Sequence, residues 1–460
     1  MESIDSWIDR DLKHLWHPYT QMKDCETLPP IKIDRAQGLQ LYADDGKAYY
    51  DTVSSWWCNI HGHNHPRIRA AIHRQLQQLD HCLFAGFTHG PAIELAERLV
   101  DITPENLDRV FYSDNGSTAV EVALKMSLQY WGNIGRPEKS RFVGLDMGYH
   151  GDTVGAMSVA GESPFSRPFK AMLFDTFKVP TPYCYRCPLG KSPETCHIEC
   201  VEPLERLLAD HHPEIAAIIL EPMLLAAAGM IAYPADYLRK VAELAQRYDC
   251  HLILDEVAVG FGRTGRMFAC EHAEVKPDFL CLSKGLTSGT LPFAATLTTD
   301  TVYQAFYDDY STNKTLYHGH TYAANPIGCA AALATLDLFE EEDTLARARP
   351  VMARLQAGLA EFRDLNHVGD VRGIGMVGAL ELVRDRASKE RFDPAQRVGM
   401  QVFRRGLAEG LILRPLADVV YLFLPLCTTL EELDLILAKL HGIVRDLSRD
   451  LTVCETGAHP

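Results

Sequence analysis

Two residues near the middle of the chain have the types and spacing to do chemistry. An apolar run, Leu252-Ile-Leu254, ends at Asp255, and a second, Phe279-Leu-Cys-Leu282, ends at Ser283 and Lys284. Short apolar runs bounded by turn residues read as buried parallel strands. Ligands of open α/β sheets gather beyond the carboxyl ends of such strands. The spacing therefore sets a carboxylate and an amine at neighbouring strand tips. An amine attacks an aldehyde only when neutral, and desolvation at a strand end weakens its hold on the extra proton. A pyridine ring is a strong electron sink only while its nitrogen is protonated, and a buried carboxylate would hold that proton. The pair thus fits a pyridoxal-phosphate site. From these two residues alone, a surface salt bridge remains the alternative.

Other patterns compete for attention. Gly260-Phe-Gly262-Arg-Thr-Gly265 matches the G-x-G-x-x-G of dinucleotide-binding turns. Asp255 and Glu256 stand just before it, where a pyrophosphate would be repelled, and no apolar helix opens after Gly265, so it reads as a loop. His61, His63 and His65 alternate as zinc ligands on one strand face would. No acid or well-placed cysteine completes the set, and Gly62 and Pro66 suit a turn, so no metal is assigned there. Cys184, Cys187, Cys196 and Cys200 form C-x2-C and C-x3-C halves separated by eight residues. They suit zinc, an iron–sulfur cluster, or reduced thiols in a packed loop. No metal ligand is assigned among them.

The elements that must position Asp255 and Lys284 are legible in outline. Arg109–Ser113 reads as a strand leading through Asp114-Asn-Gly116-Ser117-Thr118 into a helix with Val120, Leu124 and Leu128 on one face. Thr118 and Glu121 have capping-box spacing, and a glycine and hydroxyl at a helix N-terminus make a phosphate cup. Arg141–Leu145 is a further strand, with Tyr149 at its exit placed to stack on a planar cofactor. Ile215–Leu220, ending in Glu221-Pro222, and Phe293–Thr298 are two more. Tyr42–Val53 reads as a hairpin around Asp44-Asp-Gly46, and Trp56-Trp57 as a pocket wall or core pair. Past Glu340 the chain is richer in charge. Strands near Val368–Val383 and Val419–Leu424, helices over Pro394–Glu409 and Thr429–Leu447, and a disordered tail from Thr452 to Pro460 suggest a smaller α+β domain.

Composition bounds the partners. A length of 460 residues and 47% hydrophobic content indicate a globular chain of two to three domains. A charge of −16, from 45 basic and 61 acidic residues, argues against nucleic-acid or anionic-membrane partners. The N-terminus carries acids and no apolar core, and the longest apolar window is broken by Glu221-Pro222. Thirteen cysteines, many inside apolar runs, fit buried thiols in a reducing compartment. The expectation is a soluble, cytoplasmic protein.

Several ordered motifs carry a family. GHNHP (62–66), NGSTAVEVALKM (115–126), YHGDT (149–153), LDEVAVGFGRTG (254–265), LSKG (282–285) and HGHTYAANP (318–326) together resemble the class III, ω-type aminotransferases along nearly the whole chain. LWHPYTQM (15–22), SSWWCNIHGHNHP (54–66) and LILRP (411–415) resemble the biotin-pathway branch, which converts 8-amino-7-oxononanoate to 7,8-diaminononanoate. The resemblance implies an α/β chain of the type I pyridoxal-phosphate-dependent transferase fold, with a mainly parallel large-domain sheet and a smaller α+β domain. It implies an arm and part of the small domain over 1–70, the cofactor domain over 71–335 and the rest of the small domain over 336–460. Lys284 and Asp255 would be catalytic, with Tyr19 beside them. Gly116, Ser117 and Tyr149 would bind the cofactor, with Gly319, His320 and Thr321 reaching in from a second subunit of a homodimer. Tyr19, Trp56, Trp57, Gly319 and Arg414 would shape the substrate pocket, and Asp152 and Arg263 would either support the residues that touch the ligands or stand on the substrate side. The implied donor is S-adenosylmethionine, with lysine, or a general ω-aminotransferase activity on diamines or ω-amino acids, as alternatives. Val259, the segment after Tyr421 and the cysteine-rich excursion depart from the common pattern and bear on the donor.

Overall fold

The computed structural model describes residues 6–456. Near the N-terminus β1 (Ile33–Gln37), β2 (Gln40–Ala43) and β3 (Ala48–Tyr50) form an antiparallel meander. The turn between β2 and β3 carries Gly46 at φ +86°, so the expected hairpin is present, its second strand ending at Tyr50. The strand then gives way to contacts with the C-terminal part of the chain. Tyr50 N–H donates to Gly410 O at 2.8 Å, Ile412 N–H to Tyr50 O at 3.0 Å and Phe423 N–H to Thr52 O at 2.8 Å.

The main sheet starts with β4 (Arg109–Ser113), β5 (Arg141–Leu145), β6 (Phe177–Val179) and β7 (Ile215–Leu220). A short hairpin, β8 (Leu224–Leu225) with β9 (Ile231–Ala232), intervenes before β10 (His251–Asp255), β11 (Phe279–Leu282) and β12 (Ala294–Thr298). The spatial order is β4-β12-β11-β10-β7-β5-β6. Every residue of β7, β10 and β11 is buried, which is why these strands read as unbroken apolar runs rather than alternating ones. Only β12 runs antiparallel, against both β11 and β4. The link from β11 to β12 holds just a 3-10 turn, Lys284–Thr287, and is too short for the crossover that a parallel neighbour requires. The remaining strands share one direction, so the carboxyl ends of β4, β5, β7, β10 and β11 open on a single edge of the sheet.

A second antiparallel sheet, β13 (Val368–Ile374), β14 (Val377–Leu382) and β15 (Val419–Phe423), packs with the helices Thr344–Ala360, Val398–Ala408 and Leu430–Thr456. Thr429 caps the last helix: its hydroxyl accepts Glu432 N–H at 3.2 Å while Glu432 accepts Thr429 N–H at 2.9 Å. This helix corrects the expected disorder from Thr452. Leu451 still packs on the core and Thr452 Oγ1 donates to Ser448 O at 2.9 Å, so the helix continues to Thr456. Residues 457–460 of that expected tail lie outside the described residues. Among the described residues no helix is long and apolar enough to cross a membrane.

The loop 146–153 that holds Tyr149 and Asp152 is framed by a close approach. β5 lies against the helix Val154–Val159 so tightly that a Cβ on Gly144 would sit 2.1 Å from Val159 O. Gly144→Ala is therefore expected to destabilise the protein by about 1–3 kcal/mol, because backbone rather than a flexible side chain must move. A thermal midpoint unchanged from wild type would contradict this.

Candidate active site

β10 and β11 are parallel neighbours with Asp255 opposite Cys281, so Asp255 and Lys284 end adjacent strands as expected. Lys284 stands at φ +44°, a left-handed conformation that a non-glycine residue adopts only where its surroundings enforce it. Asp255 is buried. Its Oδ1 accepts Val257 N–H at 3.0 Å and its Oδ2 lies 2.8 Å from the ring Nδ1 of His150, itself buried. The sequence assigns no role to His150, although it stands inside the YHGDT motif. Glu221, just past β7, is a further buried carboxylate; it accepts Tyr149 N–H at 3.1 Å and Ala226 N–H at 2.9 Å. Burial and the neighbouring Asp255 push its pKa up to about 8. Lys284 shifts the other way: burial lowers its pKa, with Asp255, Cys58 and Glu221 opposing. Its ammonium lies 5.0 Å from the Trp57 ring centroid. Desolvation thus biases the amine toward the neutral, nucleophilic form.

The helix Gly116–Asn133 points its N-terminus at the same cavity, a space of about 350 Å³ lined by Lys284, Asp255, Tyr149, Gly116, Ser117 and Trp57 among others. Its cap differs from the expected Thr118–Glu121 box. Asn115 Oδ1 accepts Thr118 N–H at 3.1 Å and Thr118 Oγ1 accepts Asn115 N–H at 3.1 Å. Glu121 instead caps the following helix, accepting Gly155 N–H at 2.7 Å and Ala156 N–H at 3.1 Å. Gly116 is needed for close approach, since a Cβ there would lie 2.5 Å from Val257 Cγ1. Pyridoxal phosphate fits this residue set: free helix N–H groups for an anion, a buried acid for the ring nitrogen, an amine for the aldehyde and Tyr149 as a wall. Gly319, His320 and Thr321 do not line this cavity in their own chain; His320 Nε2 lies 3.8 Å from Asp114 Oδ1.

The mouth is built from residues far apart in sequence. Tyr19 donates to Asp152 Oδ2 at 2.5 Å and lies 3.3 Å from Tyr149 Oη, while Tyr149 Oη donates to Asp152 Oδ1 at 3.2 Å. Burial and Asp152 push the Tyr19 hydroxyl pKa up to about 12, so it stays protonated. Tyr19 meets Trp56 edge-on at 5.5 Å and Phe165 at 5.3 Å, and the Arg414 guanidinium lies 4.8 Å from the Trp56 ring centroid. Phe165 carried no sequence signal. A larger cavity of about 460 Å³ adjoins this mouth through Tyr149, Gly151 and Asp152, and its wall includes Phe165 and Tyr183.

Trp56 and Trp57 reach different surroundings because the backbone is left-handed from Ser54 to Trp57, with φ of +51°, +45°, +71° and +74°. Such a turn costs about 1–2 kcal/mol per residue. Asp51 accepts Ser55 N–H at 2.9 Å, and Arg263 donates to Asn59 O at 3.0 Å, to Ser54 Oγ at 3.3 Å and to Leu424 O. Of the two places expected for Arg263 it takes the supporting one, a fully buried brace that lines neither cavity. Trp56 is left 37% exposed at the mouth, whereas Trp57 is 4% exposed, stacked on Phe423 and donating to Tyr421 Oη at 3.1 Å.

The rejected patterns resolve locally. Residues 256–268 form a loop, with Gly262 and Gly265 at positive φ. His61 bonds Thr335 O at 3.1 Å, His63 bonds Asp51 at 2.8 Å and His65 caps the helix Pro66–Leu76. Among the described residues no group of three or more His, Cys, Asp or Glu is placed to hold a metal ion.

Comparison with known proteins agrees with this geometry. The aminotransferase class-III family model matches residues 21–444. The chain is 48% identical over 441 residues, 96% of its length and 97% of the relative's, to the adenosylmethionine-8-amino-7-oxononanoate aminotransferase of Geobacter sulfurreducens. The crystal structure of the enzyme of that name from Methanocaldococcus jannaschii superposes with a TM-score of 0.90 at 41% identity, covering 95% of this chain and 98% of that one. The ω-transaminase from Pseudomonas jessenii in complex with PMP gives 0.93 at 33% identity, over 97% and 99%. The chain belongs to the class III aminotransferases, enzymes of the type I fold that work with pyridoxal phosphate.

Glu221 generates a pH prediction. Its folded pKa of about 8 lies above its ordinary 4.5, so its stabilising contribution is full below pH 4.5 and is lost as pH rises through about 8. The thermal midpoint of wild type is expected to fall relative to that of Glu221→Gln across this window. Parallel midpoint–pH curves would contradict a protonated Glu221.

Proposed function

We propose that this chain transfers an amino group to 8-amino-7-oxononanoate, giving 7,8-diaminononanoate for biotin synthesis, with S-adenosylmethionine as donor. The near-full-length similarity to enzymes named for that reaction supports the acceptor. The observation that carries the reading is the Tyr19–Trp56–Arg414 mouth standing over the Asp255–Lys284 cavity. A flat, partly apolar entrance ending in a guanidinium suits an aliphatic acid whose carboxylate forms a bidentate pair.

In this reading bound pyridoxal phosphate would supply an aldehyde for amine chemistry and an electron sink. Lys284 takes the proton from the reacting substrate carbon and returns it, a role that its lowered pKa suits. Asp255, oriented by His150, keeps the ring nitrogen protonated. The N–H groups at Gly116 and Ser117 would hold the phosphate, and Tyr149 would cover the ring. Asp152 fixes the Tyr19 hydroxyl at the entrance. Asp146, Asp152 and Asp418 on the lining of the larger cavity, against Arg391, favour a cationic donor, while Glu381 and Glu162 there are already paired with Arg186 and Arg372 and with Arg167 and Lys170. A sulfonium and an ammonium both qualify, so lysine is the second reading. A homodimer is part of the proposal: Leu83, Phe87, Tyr317 and Tyr322 are exposed around Gly319–Thr321, which would complete the partner's phosphate site.

The first test is the visible spectrum of the holoenzyme before and after S-adenosylmethionine. Loss of the bound cofactor's visible band, with 7,8-diaminononanoate formed once the oxononanoate is added, is expected. Bleaching by free lysine alone would replace the donor, and no turnover of the oxononanoate with either amine would sink the acceptor assignment. Arg414→Lys is expected to raise KM for the oxononanoate roughly tenfold or more with a smaller change in kcat, because an ammonium cannot reproduce the fork. An unchanged KM would remove Arg414 from the site.

A further inference from the structure

The proposed reaction gives Glu221 no task, yet this residue stands in the catalytic cavity. It follows directly on β7, is 4% exposed, and lines the same space as Asp255, Lys284 and Tyr149. Its Oε1 accepts Tyr149 N–H at 3.1 Å and its Oε2 accepts Ala226 N–H at 2.9 Å, so both oxygens are held in place. Its backbone is pinned as well, because Tyr233 Oη donates to Glu221 O at 2.7 Å. Among the described residues Glu221 makes no ion pair. A buried carboxylate without a counter-charge is costly, whereas the neutral acid is not, and the neutral acid has a hydrogen to donate.

The strand order says which part of a bound cofactor would meet it. Across the sheet the order runs β4-β12-β11-β10-β7-β5. The cup at Gly116 and Ser117 follows β4, Lys284 follows β11, Asp255 ends β10 and Glu221 follows β7. In pyridoxal phosphate the ring nitrogen and the aldehyde-bearing carbon are para to one another. The phosphate arm flanks the aldehyde on one side and the 3-hydroxyl flanks it on the other. Asp255 and Lys284 define the two para ends. With the phosphate arm in the cup on the β4 side, the 3-hydroxyl is turned toward β7, whose end carries the Glu221 carboxyl. The Tyr149 hydroxyl is already committed to Asp152. While the ring nitrogen is protonated, the 3-hydroxyl is acidic and its oxygen carries negative charge. An ionised Glu221 would repel that oxygen, and a neutral one would bond it. Burial and the neighbouring Asp255 favour the neutral form, with a pKa of about 8.

We propose that Glu221 is a cofactor-binding residue which, as a neutral carboxylic acid, donates a hydrogen bond to the ionised 3-oxygen of pyridoxal phosphate. The acid keeps its proton, so no covalent or redox change accompanies binding. The same carboxyl continues to accept from Tyr149 N–H, which ties the position of the ring to the loop that covers it. The inference rests on pyridoxal phosphate as the cofactor and on neither amine substrate.

The test is equilibrium dialysis of the full-length enzyme, freed of cofactor and reloaded with pyridoxal phosphate or with its 3-deoxy analogue. Glu221→Leu is expected to weaken pyridoxal phosphate roughly tenfold or more, as loss of a charge-assisted hydrogen bond requires, and to leave the affinity of the 3-deoxy analogue nearly unchanged. Equal weakening of both would show that Glu221 serves only the Tyr149 and Ala226 amides and would overturn the proposal. Wild-type affinity of the variant for pyridoxal phosphate would overturn it too. Infrared spectra of wild type give a readout that needs no variant to fold. A protonated-carboxyl band is expected in the pyridoxal phosphate form and should shift when the 3-deoxy analogue replaces it. Absence of the band, or a band indifferent to the exchange, would overturn the assignment.

Discussion

Desolvation at the carboxyl edge of the main sheet is the constraint on which the site depends. β7, β10 and β11 end consecutively in Glu221, Asp255 and, just beyond Ser283, Lys284, all within one water-poor region. Isolated charges there would be costly. The fold answers with shifted protonation and hydrogen-bond partners: Glu221 drifts toward the neutral acid, Lys284 toward the neutral amine, and Asp255 keeps two hydrogen-bond partners. The same burial that would destabilise an arbitrary set of ionisable groups produces a nucleophilic lysine beside a hydrogen-bonded carboxylate.

A second constraint shapes the entrance. The left-handed turn at Ser54–Trp57 is unfavourable by itself and survives because Asp51 and the buried Arg263 satisfy its backbone and side-chain groups. It splits two adjacent tryptophans, one into the core against Phe423 and one toward Tyr19 and Arg414. Arg263 is pushed down to about 9 by its burial, a measure of how much solvation it gives up to serve as a brace. Since β15 contributes Phe423 and the following Leu424 accepts from Arg263, the entrance is coupled to the C-terminal sheet.

The N-terminal segment closes the arrangement. Tyr19 is tied to Asp152 from the large sheet's β5 exit, and Arg414 beside it comes from the stretch that meets β3. Three separate parts of the chain therefore meet at one opening, and motion of any one would change its shape. The cysteine excursion joins this frame from another side, through Tyr183 and Arg186 on Glu381.

By itself the sequence determined every strand of the main sheet except the three-residue edge strand β6, and the acid and amine at their tips. Fully buried parallel strands must be continuous apolar runs, and the residue types required by the chemistry follow directly at their ends. It also specified the helix after β4, though the cap was misread: Asn115 and Glu121 both had suitable side chains, and only their spatial neighbours decided which helix each would serve. Tertiary structure alone decided the partner of Asp255, the protonation of Glu221, the role of Arg263 and the division of Trp56 from Trp57. Each depends on contacts between residues tens to hundreds of positions apart, or on a left-handed backbone that local preferences oppose, and neither is recorded in the spacing of residues along the chain.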